Sequence, residues 1–538
     1  MPLLSCLDLG HLPGTGKLIL YITYLALGWL IARSIYRLWF HPLRRIPGPK
    51  LAAVTHLYEL YFDAIKGGRY LWEIERLHEK YGPVVRINPR EVHIKDSDFF
   101  HVIYGGGRRD RDPKWFINEM LPTSLVTTVS HDHHKLRRHI VSGFFSKLSV
   151  IRLDEMIRDK VRTLLRRLDQ ARISRTPVEL HSALNALTSD IISEYMYGES
   201  LGYLDSDLAS STNTVAHGAL SSIRWLHYVR GFPSVLRLLR AVPTHLLRGD
   251  QSVVGPFLRV FQLTRDKATG CLATTGSSDG HGKREKTIFS AMVAGDVPPQ
   301  EKPFERLTVE PVAILVAGTD TTARTAAVAL FHLAHNPAIL KALRTELFKV
   351  FPVSVDNVPW SKRDVSASQL EKLPYLTAVI QESIRVTHPV ILRSARVAAE
   401  PVTYQDIVIP PGTPMSQSVH FVCMDPKVFP SPESFNPERW IQAAANGVNL
   451  TKYLASFGTG HRSCLGIQYV SSPTSARSSA ANLAYAELYH VIAAFACSFE
   501  WELYETGLGD VQTTRDFQLA VPESGSLAIK VVLTGTVG

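Results

Sequence analysis

One cysteine in a glycine-rich stretch has the clearest chemical potential in this chain. Cys464 lies in the run Phe457-Gly458-Thr459-Gly460-His461-Arg462-Ser463-Cys464-Leu465-Gly466. Glycines allow a tight loop whose backbone N–H groups can point at a sulfur atom. Those amides, together with the nearby cation of Arg462, would favour the thiolate over the thiol. The pattern therefore indicates a ligating or reactive cysteine, although a glycine-rich turn around a buried structural thiol has the same composition.

A second polar cluster interrupts a long apolar helical pattern. The run Ala317-Gly318-Thr319-Asp320-Thr321-Thr322 lies within a pattern that extends over residues 309–333. Its flanks are apolar on every side, so we expect the cluster to be buried. Buried polar groups at a helix interruption usually serve a ligand. The alternative is a surface turn whose threonines bond back to the backbone.

Charged residues at helical spacing form two further candidates. Glu382 and Arg385 are three residues apart in one helical pattern, and Arg439 follows within Phe435-Asn436-Pro437-Glu438-Arg439-Trp440. Alone, such a pair is usually an exposed bridge of small energy. Basic residues also occur in His134-Lys135-Leu136-Arg137-Arg138 and in Arg393-Ser394-Ala395-Arg396. The histidines at 131, 133, 134 and 139 lack a cysteine or acid at ligand spacing, which argues against a metal cluster.

The Cys464 run resembles the haem-ligand signature FxxGxRxCxG of the cytochrome P450 superfamily at every fixed position. A match of this kind has a chance of about 10⁻⁴ in a chain of this length. The resemblance implies a mainly α fold with small β-sheets, haem b as cofactor, and Cys464 as the axial thiolate of the iron. It further implies that Phe457 packs near the sulfur. The implied contacts to the haem propionates are Arg462, Arg138, Arg396 and, where the family usually has tryptophan, His134; Arg393 is expected at the surface.

The same resemblance assigns the other two clusters. Ala317 and Gly318 would make room above the haem, and Asp320 and Thr321 would relay protons to iron-bound dioxygen. Glu382, Arg385 and Arg439 match the family's buried structural triad of an ExxR helix and a later arginine.

The chain departs from the family pattern directly after the cysteine. In the family the following helix begins at once, as CxGxxxAxxE, whereas here the fourteen residues 468–481 intervene, with five serines and a proline. Without them Ile467 would precede Asn482, and the family pattern through Glu487 would be restored. Our hypothesis is that this insert is intronic sequence translated in frame. The alternative is a genuine surface loop.

The elements that must position these residues begin with an N-terminal apolar segment. Residues 18–32 carry no charge and can be extended to Trp39 if the arginines at 33 and 37 reach the interface. Basic residues follow this segment, so the bulk of the chain is expected in the cytosol. We therefore divide the chain into a single-pass anchor (1–40), a stiff, non-helical Pro-rich hinge (41–50) and one mainly α domain (51–538). A cleaved signal peptide or a buried helix are the alternatives for the first segment.

Helical patterns dominate the domain, and no period of 20–50 residues repeats. Helices are predicted over 71–80, 150–170, 182–197, 309–333, 339–348 and 375–387. Strands are predicted over 84–87, 91–94, 402–404, 407–409 and 528–533, and a solvated loop over 274–286. Five cysteines do not make a disulfide framework, and 59 basic against 49 acidic residues give a net charge of +10. That charge suits a membrane surface or an acidic partner.

Together these features predict a monooxygenase that inserts one atom of O2 into an apolar small molecule. The implied partners are a membrane-bound NADPH–cytochrome P450 reductase and the endoplasmic reticulum membrane, with no nucleic acid. Local stretches resemble fungal oxygenases of the trichodiene-oxygenase-like group, which favours a terpenoid or polyketide substrate. Expected pocket and access residues are Trp115, Phe116, Val390, Ile391, Trp225, Tyr228 and Phe232. A reductase-independent isomerase or dehydratase, and a non-catalytic haem protein, are the alternatives.

Overall fold

The first helix, α1 (Gly14–Ile35), continues through a π-helical turn at Tyr36–Phe40. The computed structural model describes residues 14–115, 120–206, 215–216, 227–228, 255–275, 286–352, 359–391, 393–467 and 483–537. The apolar span Leu18–Phe40 has 23 residues, long enough to cross a bilayer, and none of it is buried within the protein. Its length and exposure fit the predicted single-pass membrane anchor.

The segment that follows the anchor is part of the folded domain. It was predicted as a stiff, non-helical spacer, but Pro42–Arg45 forms a 3₁₀ turn capped by His41. Leu43 is buried and packs with residues of the first sheet. At the base of the anchor the Arg37 guanidinium donates to the Val54 carbonyl, and Arg86 Nη1 donates to the Arg37 carbonyl at 3.0 Å. The anchor is therefore tied to the domain by partly buried hydrogen bonds.

Helices account for most of the described chain. After α1 they are α2 (Lys50–Val54), α3 (Leu57–Leu60), α4 (Tyr70–Tyr81), α5 (Phe100–Tyr104), α6 (His131–Ser142), α7 (Lys147–Ile173), α8 (Leu180–Tyr197), α9 (Gly255–Thr275), α10 (Ile288–Met292), α11 (Phe304–His335), α12 (Pro337–Val350), α13 (Ala367–Leu370), α14 (Pro374–Thr387), α15 (Val419–Cys423), α16 (Glu438–Ala445) and α17 (Leu483–Ser498). All six predicted helices are present, each extended at one or both ends. The predicted loop at 274–286 lies mostly outside the described residues.

The strands form one larger sheet, one of three strands and two hairpins. They are β1 (Val84–Arg86), β2 (Val92–Ile94), β3 (Arg109–Arg111), β4 (Val178–Glu179), β5 (Arg396–Ala398), β6 (Val402–Tyr404), β7 (Ile407–Ile409), β8 (Pro414–Ser416), β9 (Phe499–Leu503), β10 (Arg515–Phe517), β11 (Leu519–Val521) and β12 (Lys530–Thr536). The orders are β1-β2-β8-β5-β3, β4-β12-β9, β6-β7 and β10-β11, and only the β2–β8 pairing is parallel. The antiparallel register of β3 and β5 places Arg111 opposite Arg396.

Helix α11 runs through the centre of the largest hydrophobic cluster. Residues 306–315 and 322–333 are buried on all sides, as expected for a helix that is apolar around its whole circumference. The helix packs against α8, α9, α14 and α17. It therefore spans the core and can present side chains to a central site.

Two buried histidine pairs join separate elements, one linking α4 to β2 and the other linking the end of α14 to α15. His78 Nε2 lies 2.8 Å from His93 Nδ1, and His388 Nε2 lies 3.0 Å from His420 Nδ1. Burial lowers the pKa of His78 and of His420 to about 4, the pKa of His388 to about 3, and the pKa of His93 well below its usual value. These four side chains stay neutral in the folded protein at pH values where the unfolded chain takes up protons.

The protein should therefore lose stability as the pH falls from about 6.5 toward 4. Between pH 6.5 and 5.5 each such histidine removes about 1 kcal/mol, because the unfolded state alone is protonated. Unfolding midpoints measured at a series of pH values check this. The substitution His420→Gln should reduce the slope, whereas His335→Gln, at an exposed position, should leave it unchanged. A midpoint that stays level or rises with acidification would contradict the assignment.

Candidate functional site

The Cys464 loop is held in a tight conformation against α5. Gly460 has a φ of +74°, and a Cβ atom there would lie 2.6 Å from the Tyr104 carbonyl oxygen, so only glycine fits without a shift. The Cys464 backbone N–H donates to the Phe457 carbonyl at 2.8 Å. The Phe457 ring stacks on Tyr485 at 5.8 Å between centroids. The loop is thus fixed on both sides of the cysteine.

The Cys464 side chain is accessible although the chain around it is largely buried. Backbone N–H groups of Gly466 and Ile467 face its sulfur, and the Arg138 guanidinium lies nearby. All three stabilise the thiolate, but burial in the surrounding protein outweighs them, and the pKa of the thiol is raised. The loop therefore does not ionise the sulfur by itself; a bound cation such as a metal ion would.

The sequence suggested Arg462 as the cation beside the sulfur. The structure places Arg138 there instead. Arg138 Nη1 donates to the Ser463 carbonyl at 2.6 Å. The Arg462 guanidinium instead turns toward the residues before α6. It donates to the carbonyls of Thr128 at 2.6 Å and Val129 at 2.7 Å.

A cluster of buried cations surrounds this loop. Arg111 and Arg396 face each other across β3 and β5, and both donate to the hydroxyl oxygen of Ser394, at 3.1 and 2.8 Å. Arg462 is close enough to lower the pKa of Arg111, and His134 lies on the same side of α6 as Arg138, one turn earlier. We call the four arginines Arg111, Arg138, Arg396 and Arg462, together with the neutral imidazole of His134 among them, the cationic cluster.

No carboxylate of the described chain forms an ion pair with the cationic cluster, and Asp110 acts on Arg462 only at longer range. In the part of the chain that the structure describes, none of its four guanidinium groups lies within 4.0 Å of an acidic side chain. The Nε atoms of Arg111, Arg396 and Arg462, and Nδ1 of His134, are buried without a hydrogen-bond partner.

The pKa values of the cluster residues also indicate positive charge that the protein leaves uncompensated. Burial, with repulsion by neighbouring arginines, lowers the pKa of Arg462 to about 9 and the pKa of His134 to about 2, and it lowers the pKa of Arg111 well below the usual value. Buried cations are costly without an anion. The donor set fits a ligand that carries carboxylates, as haem does with its two propionates.

The sequence found four of the five members of the cluster and missed Arg111. Its run of charged residues, Arg108-Arg109-Asp110-Arg111, reads as a solvated strand, and only the pairing with β5 shows that Arg111 is buried. His461 was also missed; its ring contacts His131 and His134, and Nε2 is buried without a partner.

The expectation for Arg393 was wrong. It lies in the core rather than at the surface, 3.1 Å from Glu59 and 3.3 Å from Asp63, with its guanidinium over the Tyr70 ring. Two carboxylates balance this arginine, in contrast to the cationic cluster.

Helix α11 has a short accessible window in an otherwise buried run. Ala317 is exposed, and Val316, Gly318 and Thr321 are half-buried, although both flanks are buried. A Cβ atom at Gly318 would lie 3.0 Å from Ile192 of α8, so glycine here serves the close packing of α8 as well. The window is therefore formed chiefly by Val316, Ala317 and Thr321.

The two predicted relay residues lie on different sides of α11. The Thr321 hydroxyl is in the window and donates to the Ala317 carbonyl at 2.9 Å. Asp320 is buried against α8, with its Oδ1 atom 2.9 Å from His181 Nε2. The structure thus places a hydroxyl in the window and a carboxylate behind it.

One chain segment bridges the α11 side and the cysteine side of the site. The Leu125 backbone N–H donates to Glu310 of α11 at 2.8 Å. Three residues later the carbonyls of Thr128 and Val129 accept from Arg462. The helix window and the Cys464 loop are therefore both tied to residues 125–129.

The predicted triad comes together in the core. Arg385 donates to both oxygens of Glu382, at 2.7 and 2.9 Å, and Arg439 Nε donates to it at 3.1 Å. The Trp440 indole and the Asn436 backbone N–H add contacts at 2.8 and 2.9 Å. All oxygens of Glu382 are used, so the group fixes the segment that precedes the cysteine loop.

The structure places the expected pocket residues unevenly. Ile391 is fully buried and packs with Tyr70 and Leu71, so it does not line the site as predicted. Val390 is half-buried, Trp115 is buried under the Arg111 guanidinium, and Tyr228 is half-exposed. Phe116, Trp225, Phe232 and the insert 468–481 lie outside the described residues. Among the described residues no group of three or more histidine, cysteine, aspartate or glutamate side chains is arranged to hold a metal ion.

Comparison with known proteins identifies the relatives of this chain. The family model described as Cytochrome P450 matches residues 49–469. The cytochrome P450 monooxygenase aflU of Aspergillus parasiticus is 43% identical over 94% of this chain and 96% of its own length. The conidiogenone synthase PchP450 of Penicillium rubens is 39% identical, over 93% and 96%. The cytochrome P450 monooxygenase TRI4 of Trichoderma arundinaceum is 37% identical, over 94% and 95%.

Removal of the triad carboxylate should be severely destabilising. Glu382→Ala leaves Arg385 and Arg439 buried without their acid, which costs on the order of 3–5 kcal/mol. Unfolding of the purified chain measures the loss. Asp159→Ala is the control, because it breaks an exposed pair of the same i,i+3 spacing with Arg162 and should cost less than about 0.5 kcal/mol. Equal effects of the two substitutions would contradict the structural role.

Arg111→Gln should weaken haem retention by about tenfold, since one charge-assisted hydrogen bond is lost. It should not destabilise the haem-free chain, because it relieves repulsion within the cationic cluster. The rate of haem transfer to apomyoglobin and the unfolding midpoint of haem-free protein measure the two effects. Arg108→Gln, at an arginine 70% exposed, is the control. Unchanged retention in Arg111→Gln would remove Arg111 from the site.

Proposed function

Since this chain belongs to the cytochrome P450 family of monooxygenases, we propose that it inserts one oxygen atom from O2 into an apolar small molecule of fungal secondary metabolism. A terpenoid or a polyketide is the proposed substrate class. The relatives that support this are fungal proteins, one of them named as a conidiogenone synthase.

The observation that carries the proposal is the cationic cluster beside an accessible Cys464. Arg111, Arg396, Arg462 and His134 would hold the haem propionates, and Arg138 lies between them and the cysteine. Haem, when bound through the Cys464 thiolate, supplies the oxygen-activating chemistry. The protein supplies the cavity, the orientation and the protons.

The residues of the α11 window take the remaining roles. Val316 and Ala317 present apolar surface, which suits an apolar substrate. The Thr321 hydroxyl, accessible in the window, would pass a proton to the reacting oxygen. Asp320 lies one residue earlier and is buried. Its carboxyl group would return a proton to the Thr321 hydroxyl.

The anchor and the basic surface support an external electron donor. We place the anchor in the endoplasmic reticulum membrane and the domain in the cytosol, because arginines at 33, 37, 44 and 45 gather at the C-terminal end of the span and just after it. Electrons would come from NADPH through the membrane-bound reductase. The exposed face of α6, with Lys135 and His139 beside the cluster residue Arg138, offers a basic surface to an acidic partner.

The insert 468–481 bears on whether the chain is active as written. The family match ends at residue 469, two residues into the insert, and the pattern resumes in α17, where Glu487 is buried. These observations support the proposal that the insert is intronic sequence. Sequencing of the mature transcript tests this proposal. Retention of codons 468–481 in most reads would contradict it and would favour a genuine surface loop.

Incubation with reductase, NADPH, isotopically labelled dioxygen and a panel of terpenoid hydrocarbons and polyketides tests the activity. We expect one labelled atom in the product of one panel member, with NADPH consumed. The chain that lacks 468–481 should be at least as active as the full chain. Product formation without NADPH would favour the isomerase or dehydratase alternative. If the full chain and the chain without 468–481 both bind haem and neither forms a product, the result would favour a non-catalytic haem protein.

A further inference from the structure

Asp320, the proposed relay carboxylate, has a buried histidine, His181 of α8, as its neighbour. His181 Nε2 lies 2.9 Å from Asp320 Oδ1, and both side chains are 4% exposed. We infer that His181 is a positioning residue, which holds the Asp320 carboxylate in one orientation behind the α11 window. This inference rests on the proposed monooxygenase function.

His181 is the described group best placed to balance Asp320. A carboxylate in the core is costly without a counter-charge. Arg324, one turn along α11, interacts electrostatically with Asp320, but it donates its hydrogen bonds to the Leu527 carbonyl at 2.9 Å and the Asp510 carbonyl at 3.0 Å. Asp320 Oδ1 accepts no hydrogen bond of good angle in the described chain. His181 Nε2, at 2.9 Å, is therefore the described side-chain atom that pairs with this oxygen.

The register between α8 and α11 fixes this contact. The Thr188 hydroxyl donates to the Thr319 carbonyl at 2.9 Å, and Ser189 Oγ lies 3.1 Å from Thr319 Oγ1. Ile192 fills the space beside Gly318. These residues follow His181 at helical intervals, so one face of α8 lies along α11 from residue 318 to residue 320.

The position of His181 on its own helix is also fixed. The Glu179 carboxylate caps α8 and accepts from the backbone N–H of His181 at 2.9 Å and of Ser182 at 2.7 Å. The side-chain amide of Asn185, one turn later, lies 3.2 Å from His181 Nε2, and with the proton of Nε2 directed at Asp320 it is the amide oxygen that faces this nitrogen. The imidazole is held by its backbone and by its neighbour, and it can hold Asp320 in turn.

The role follows from the geometry of consecutive residues. Adjacent side chains on a helix diverge by about 100°, so Thr321 faces the window while Asp320 faces α8. Asp320 can restore the proton of Thr321 only if its carboxylate keeps one orientation through the reaction. Loss of His181 frees that carboxylate and slows proton delivery without altering the window itself.

The test is a double-substitution cycle in the full chain with His181→Gln, Asp320→Asn and both together. The control is His490→Gln, because His490 and Asp154 form a buried pair of the same kind at 2.7 Å between α17 and α7. The reduced carbon-monoxide spectrum is recorded first for every variant. Its absence in the wild-type chain would be a failure of the proposed function and not of this inference.

The measured quantities are reductase-supported NADPH oxidation, its solvent isotope effect in D2O, and the unfolding midpoint. His181→Gln should lower the oxidation rate by about tenfold and raise the isotope effect. In the Asp320→Asn background it should have no further effect on rate, and the two substitutions should be non-additive in the unfolding midpoint. His490→Gln should leave the rate and the isotope effect unchanged.

Two results would overturn the inference. One is an unchanged rate and isotope effect in His181→Gln. The other is additivity of the two substitutions: His181→Gln lowers the rate of the Asp320→Asn variant by the same factor as it lowers the rate of the wild-type chain. A merely structural residue would give that result. Should His181→Gln fold poorly, His181→Lys keeps a cation beside Asp320. It should retain more of the rate than Asp320→Asn does, and a rate no higher would count equally against the inference.

Discussion

The buried cations without a buried anion set the main constraint on this structure. Arg396 and Arg462 lie close enough to lower the pKa of Arg111, Arg396 also lowers the pKa of Arg462, and Arg111 and Arg396 share one serine hydroxyl. A core does not gather such groups without compensation. A ligand with two carboxylates resolves the imbalance, and an accessible cysteine beside it adds the donor that an iron centre requires. Elsewhere in the core the same side chain is balanced internally, as Arg393 is by Glu59 and Asp63.

Several elements of the fold hold the residues of the cationic cluster in place. The pairing of β3 with β5 places two of the arginines, and α6 places His134 and Arg138 one turn apart. Residues 125–129 tie Arg462 to α11 through Glu310. The Glu382 triad fixes the chain that leads into the cysteine loop. Separate elements thus converge on one site, and each is held by buried polar contacts rather than by apolar packing alone.

The sequence predicted the helices, the membrane span and the cysteine loop, because each has a strong local signal: periodicity, length without charge, or a dense motif. It predicted the buried arginines of the Glu382 triad but not the burial of two others. Arg111 was missed and Arg393 was misplaced, since burial of a charged residue depends on strand pairing and distant acids. Ile391 was assigned to the pocket but lies in the core beside Tyr70, and the packing of Gly318 on Ile192 has no local sequence signal either. The contact between His181 and Asp320, 139 residues apart in sequence, likewise emerges only from the packing of two helices.

The most direct test of this account is the carbon-monoxide difference spectrum of the reduced full chain, compared with that of Cys464→Ser. We predict a strongly red-shifted Soret band that depends on Cys464 and reports a thiolate bound to haem iron. If the full chain lacks the band and the chain without 468–481 shows it, the site is as described and the insert disables it. Absence of the band in both forms, or the same band in Cys464→Ser, would contradict the haem-thiolate site itself.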